Sequence, residues 1–160
     1  MTRFQRLATL IALAATLTAC ATVIPPCSAT SGPASHELAG TQWELIRWHQ
    51  AKNEQGSVRL RNISHSDKGA PLSLTISPDG NTAAGFAGCN LYNAAITNDE
   101  KGLLISKIAA TKKSCSPYAE ELERRFLSYL GDYRTLIRDG DRLILMTKDG
   151  EVLSFALRTR

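Results

Sequence analysis

From Leu38 to the C-terminus the apolar residues fall in short runs of period two, divided by Gly, Asp, Asn and Pro. That spacing predicts strands whose alternate side chains face one core. Thr41 to Arg47 puts Trp43 and Leu45 on one face. Leu72, Leu74 and Ile76 alternate with Ser73, Thr75 and Ser77 before the turn Pro78-Asp79-Gly80-Asn81. Further strands are predicted at Thr82 to Ala87, Tyr92 to Thr97 and Leu103 to Ile108. Tyr133 to Arg138, Arg142 to Thr147 and Val152 to Leu157 complete the set, joined through Asp139-Gly140 and through Lys148-Asp149-Gly150-Glu151. On strict alternation Trp48 falls opposite Trp43, so it is expected at a loop edge and exposed.

One segment departs from this period. After Ser116-Pro117, the residues Tyr118, Leu122, Phe126, Tyr129 and Leu130 line one face of a helix. Ser116 can cap it, Pro117 suits its first turn, and Gly131 can close it. Glu120 and Glu121 sit near the positive end of its dipole. A sheet with one polar face needs only its other face covered, so the predicted fold class is α+β. The arrangement is a strongly curved antiparallel sheet or partial β-barrel covered by this one main helix. The stretch from Trp48 to Pro71 is polar and reads as a long exposed loop, with an edge strand around Val58 to Ile63.

The N-terminus follows another pattern. Arg3 and Arg6 precede an uncharged apolar stretch, Leu7 to Leu17, which is long enough for a signal sequence and short for a membrane span. The next residues, Leu17-Thr18-Ala19-Cys20, resemble a bacterial lipobox. This predicts a lipoprotein signal peptide over 1–19 and lipidation at Cys20. Acyl burial contributes about 0.8 kcal/mol per methylene, so several chains would hold the protein on a membrane. Ala21, where sorting signals for inner-membrane retention carry Asp, favours the periplasmic face of the outer membrane. Residues 20–37 form the lipidated N-terminus and a flexible Pro/Ser/Ala-rich linker, and 38–160 the folded domain. Loss of Arg3 and Arg6 lowers the net charge from +4 to +2, so basicity is weak in the mature protein.

Of four cysteines, Cys20 is the predicted anchor and Cys27 is left over in the linker. Cys89 and Cys115 both lie in the domain. A disulfide is the default in an oxidising compartment and would contribute about 3.5 kcal/mol on the chain-entropy argument. A metal site is the rival, though His36, His49 and His65 show no ligand spacing with either Cys.

The most distinctive string is Gly85-Phe86-Ala87-Gly88-Cys89-Asn90-Leu91-Tyr92. Gly85 and Gly88 permit close approach or positive φ, and Asn90 can form an Asx-turn. With Gly40-Thr41-x-Trp43-x-Leu45 upstream and Thr111-x-x-x-Cys115 downstream, the chain from about Leu38 to Leu157 resembles the META domain, a family that includes HslJ-like heat-shock lipoproteins. The resemblance implies a Cys89–Cys115 pair, a small barrel-like α/β fold and a bacterial envelope setting. It implies association with heat shock and antibiotic tolerance, and brings no established reaction. Lys112-Lys113-Ser114 and Asn93 depart from the family pattern.

No nucleophile and base are paired in the sequence, and no Gly-x-Ser-x-Gly occurs, so no catalytic residue, cofactor or metal is expected. Glu120, Glu121 and Glu123 beside Arg124 and Arg125 read as a solvated helix face. The Gly85 to Asn90 loop reads as a turn holding a disulfide in preference to a phosphate nest. Lys107, Lys112, Lys113, Arg124 and Arg125 form a candidate basic patch toward anionic lipid or lipopolysaccharide. A nucleic-acid partner is not expected, since no aromatic positions interleave with the charges. The expected function is a membrane-tethered, non-catalytic binding or assembly module with an envelope protein partner, its oligomeric state open. The alternative is a carrier of an acyl chain or other apolar ligand inside the barrel.

Overall fold

The computed structural model describes residues 32–64, 69–100 and 102–159. The predicted signal peptide and most of the linker, with Cys20 and Cys27, lie outside these residues, as does His65. The described chain runs α1 (Ser35–Leu38), β1 (Gln42–His49), β2 (Ser73–Ile76), β3 (Thr82–Phe86), β4 (Leu91–Asp99) and β5 (Gly102–Ala110). It continues through α2 (Pro117–Gly131), β6 (Tyr133–Asp139), β7 (Arg142–Thr147) and β8 (Val152–Leu157).

The eight strands form one curled sheet in the order β5-β4-β3-β2-β1-β8-β7-β6, every neighbouring pair antiparallel. The first and last strands of the chain's two halves meet in the middle, where β1 pairs with β8. The sheet is a half-barrel, and α2, which joins its two edge strands β5 and β6, packs against it. At the same gap the Tyr133 hydroxyl on β6 donates to the Leu103 carbonyl on β5.

Local chemistry explains why α2 forms there. Ser116 has extended backbone angles and its hydroxyl accepts from the Ala119 N–H at 3.3 Å, with Pro117 in the first turn. Ala119, Leu122, Phe126 and Leu130 are buried, the i, i+3, i+7, i+11 stripe of one helix face. Tyr118, expected on that stripe, is instead exposed, and its hydroxyl donates to the Asn62 carbonyl at 2.5 Å. The helix therefore both plugs the barrel and pins the long loop.

Phe126 stands at the centre of the core. Its ring centroid lies 6.4 Å from Trp48, 6.1 Å from Tyr92 and 6.2 Å from Phe155. Aromatic pairs at these separations add about 0.5–1.5 kcal/mol each beyond their burial.

Three further sequence expectations are corrected. Trp48 is fully buried, not exposed. Leu45 pairs with Phe155 and Arg47 with Ser154, so Ile46 is an extra residue in β1, and this bulge returns Trp48 to the face of Trp43 and Leu45. The folded region begins before Leu38: the Ser35 N–H donates to Asn98 Oδ1 at 2.8 Å, and Asn98 Nδ2 donates to Ser35 Oγ at 2.8 Å. The Leu103 N–H likewise donates to the Pro33 carbonyl at 3.1 Å. Residues 33–37 thus belong to the packed domain despite their linker-like composition. Finally, Val58 to Ile63 forms no strand. It meets the end of β1 through a single bridge, His49 to Leu60, flanked by the Gln50 N–H to Arg59 carbonyl and Arg61 N–H to Trp48 carbonyl bonds.

Among the described residues no helix is long and apolar enough to cross a membrane.

Candidate functional site

The distinctive loop is built from the backbone outward. At Gly85 on β3 a Cβ would stand 2.1 Å from the Ser73 carbonyl oxygen of β2, so only glycine lets the two strands pass. The same carbonyl accepts from the Tyr92 hydroxyl at 2.8 Å, and Ser73 Oγ accepts from the Phe86 N–H at 3.0 Å. Gly88 takes a positive φ of 105° against Leu122 of α2, and the Ala87 N–H to Asn90 carbonyl bond (2.9 Å) closes the turn.

Asn90 is the hub of this region, buried and fully engaged. Its Oδ1 accepts from Thr111 Oγ1 at 2.9 Å and from the Lys113 N–H at 2.8 Å. Its Nδ2 donates to the Lys113 carbonyl at 3.2 Å, to Glu123 Oε1 at 3.2 Å and to Cys89 Sγ at 3.1 Å. Its backbone N–H donates to Glu123 Oε2 at 2.6 Å. The residues before Cys115 are thereby laid beside Cys89, and the two cysteines form a disulfide with Cα atoms 6.0 Å apart. The turn's Asn90 N–H is already taken by a carboxylate, which leaves it unavailable to a phosphate.

Glu123 was placed by sequence on a solvated face; the structure turns it onto the Gly-Cys-Asn turn. No local signal distinguishes Glu123 from Glu120 or Glu121, because its partner lies 33 residues away. Glu120 Oε1 accepts from the Cys115 N–H at 3.2 Å. Asn90, Thr111, Lys112, Lys113, Glu120 and Glu123 line an open cleft of about 430 Å³ in which cations and carboxylates are mixed.

The five candidate cations fall into three settings. Arg124 and Arg125 both bind Glu121, at 2.5 Å each, as i,i+3 and i,i+4 pairs on α2. Those two guanidinium groups, Arg124 first, hold the Glu121 carboxyl below its ordinary range. Lys112 and Lys113 belong to the mixed cleft. Lys107 sits at a bulge in β5 with a left-handed φ of 51°.

A second polar cluster lies at the loop end of the barrel and was not anticipated. Glu151, whose side chain is only 8% exposed, accepts from Trp48 Nε1 at 2.5 Å and from Arg61 at 3.0 Å. The Arg61 guanidinium also covers the Trp48 ring at 4.9 Å. Tyr129 packs edge-on to Trp48 at 5.9 Å and donates to Asp149 Oδ2 at 2.8 Å. Burial first, then the Asp149 hydrogen bond and the nearby carboxylate charges, push the Tyr129 hydroxyl up to about 12. These contacts latch the long loop through a tryptophan, an arginine and a carboxylate. Among the described residues no group of three or more His, Cys, Asp or Glu side chains is placed to hold a metal ion.

In a comparison against known families, the META domain matches residues 36–160. The chain belongs to the META domain family. No curated protein matches it. Among solved structures, a protein from Burkholderia xenovorans determined by NMR is similar at 26% identity and TM-score 0.65, over 85% of this chain and 97% of that one. A DUF4847 family protein from Bacteroides vulgatus shares the fold at 16% identity and TM-score 0.50, over 74% of this chain and 93% of the other.

Proposed function

We propose that this META domain protein is an outer-membrane-tethered periplasmic lipoprotein whose domain is a non-catalytic binding or assembly module serving envelope stress or antibiotic tolerance. The observation that carries this reading is the filled interior: Trp43, Trp48, Phe126, Phe155, Leu130 and Leu143 have no exposed surface. A barrel whose axis is occupied by its own helix works through its outside. The outer face of β6, β7, β8 and β1 offers such a surface. There Ile137 pairs with Ile144, Met146 with Val152, and Val152 with His49, while Ile46 projects from the bulge and Leu60 follows at the bridge. Ile46, Leu60, Ile137 and Met146 are all exposed.

The test is crosslinking in intact cells followed by mass spectrometry, comparing wild type with an Ile46→Asp, Met146→Asp variant. Specific envelope-protein crosslinks that the variant loses, with its melting unchanged, are expected. Identical crosslinks in both would overturn the assignment of this face. Fractionation of Cys20→Ser tests the tether independently. Release from the membrane is expected, and unaltered partitioning would remove the lipoprotein reading.

The carrier alternative would need a place other than the filled interior. A cleft of about 280 Å³ beside the barrel wall is lined by Leu45, Ile63, Ser64, Ala70, Pro71 and Leu72. Co-purifying lipid in the absence of any protein crosslink would put that reading first.

A further inference from the structure

The two sulfurs of the bridge stand in unequal environments. Cys89 is 1% exposed, enclosed by the turn after β3. Its Sγ accepts from Asn90 Nδ2 at 3.1 Å. Cys115 is half-buried, and its neighbours Thr111, Lys112, Lys113, Ser114 and Ser116 are all exposed.

We infer that Cys115 is a site of reversible S-thiolation by small thiols, with Cys89 as the buried leaving and resolving sulfur. An incoming thiolate bonds to Cys115 Sγ, and the Cys89–Cys115 bond breaks. Its electron pair departs on Cys89 Sγ, where the Asn90 amide already points a donor that favours the anion. One disulfide replaces another, so no oxidant or reductant beyond the thiol is consumed. In the reverse step the Cys89 thiolate attacks Cys115 Sγ and expels the thiol as its thiolate.

The turn is equipped to survive that cycle. Asn90 holds both the N–H and the carbonyl of Lys113, and Thr111 besides, through bonds that do not involve the disulfide. With the bridge open, Cys115 therefore stays beside Cys89. Opening is local and does not require the domain to unfold.

The experiment incubates the native wild-type protein with reduced glutathione, quenches early with a large excess of N-ethylmaleimide, which alkylates free thiols and stops exchange at once, and maps the peptides under acid conditions. Glutathione on Cys115 is expected at least tenfold in excess over glutathione on Cys89, with the alkyl label on Cys89. Equal distribution, an excess on Cys89, or adducts that form only in denaturant would overturn the inference. The assay needs no substitution, so it does not depend on a variant folding. As a second reading, the single thiol of Cys89→Ser is expected to react with Ellman's reagent at least tenfold faster than that of Cys115→Ser. Comparable rates in two variants with native circular dichroism would count against it.

Discussion

Replacement of Glu151 by Ala is the sharpest test of the polar latch. Glu151 is 8% exposed at its side chain and Arg61 14%, so neither charge is well solvated. Removing the carboxylate leaves the Trp48 N–H without its acceptor and the Arg61 guanidinium without its counter-ion. The Arg61 Nε has no hydrogen-bond partner among the described residues, so this arginine is incompletely satisfied even before the carboxylate is removed. Deleting one member of a buried pair costs about 3–5 kcal/mol, because the survivor is stranded. For a domain of this size each kcal/mol lowers Tm by roughly 3 °C, so a fall of about 9–15 °C is expected. Urea unfolding monitored by Trp48 and Trp43 fluorescence gives the free energy directly. Arg61→Ala and the double variant complete a cycle, in which the double change should cost less than the sum of the singles. A loss below about 1 kcal/mol for Glu151→Ala, or strict additivity, would refute the argument that these groups are energetically coupled.

Three further outcomes follow from the geometry. Phe126→Ala empties the centre of the aromatic core and should cost about 3–5 kcal/mol in urea unfolding; a loss under about 1 kcal/mol would mean that the interior is not packed around this ring. Gly85→Ala places a methyl group 2.1 Å from the Ser73 carbonyl and should destabilise by about 3 kcal/mol, with a wild-type melt as the contrary result. Tyr129 has a raised folded pKa of about 12, so its contribution is complete below the ordinary phenol value and is lost as pH rises toward 12. Tyr129→Phe should therefore flatten the fall in stability between about pH 10 and 12, and an unchanged slope would contradict that sign.

Much of the architecture is encoded within windows of a few residues. Leu72, just before β2, and Leu74 and Ile76 within it alternate because this stretch has one buried face, and all three are buried. Ser116-Pro117 starts α2 through one cap hydrogen bond and one missing N–H, both local events. Period two, period 3.6, turn residues and the presence of two cysteines within the domain are short-range properties, so the α+β half-barrel, its main helix and the family motif are legible in the chain.

What tertiary structure alone decided is parity and partnership. A single extra residue, Ile46, reverses which face the rest of β1 presents, and it converts Trp48 from an expected surface residue into part of the core. Glu151 meets Arg61 across 90 positions and Trp48 across 103, because β1 and β8 are neighbours in the sheet. Glu123 is set apart from its neighbouring glutamates by facing Asn90, while Glu120 meets the Cys115 N–H and Glu121 meets Arg124 and Arg125. The Pro/Ser/Ala segment before Leu38 becomes part of the domain because Asn98 and Leu103 bind its backbone. Local propensity selects the elements, but the fate of a polar group depends on the distant partner that the sheet order brings to it.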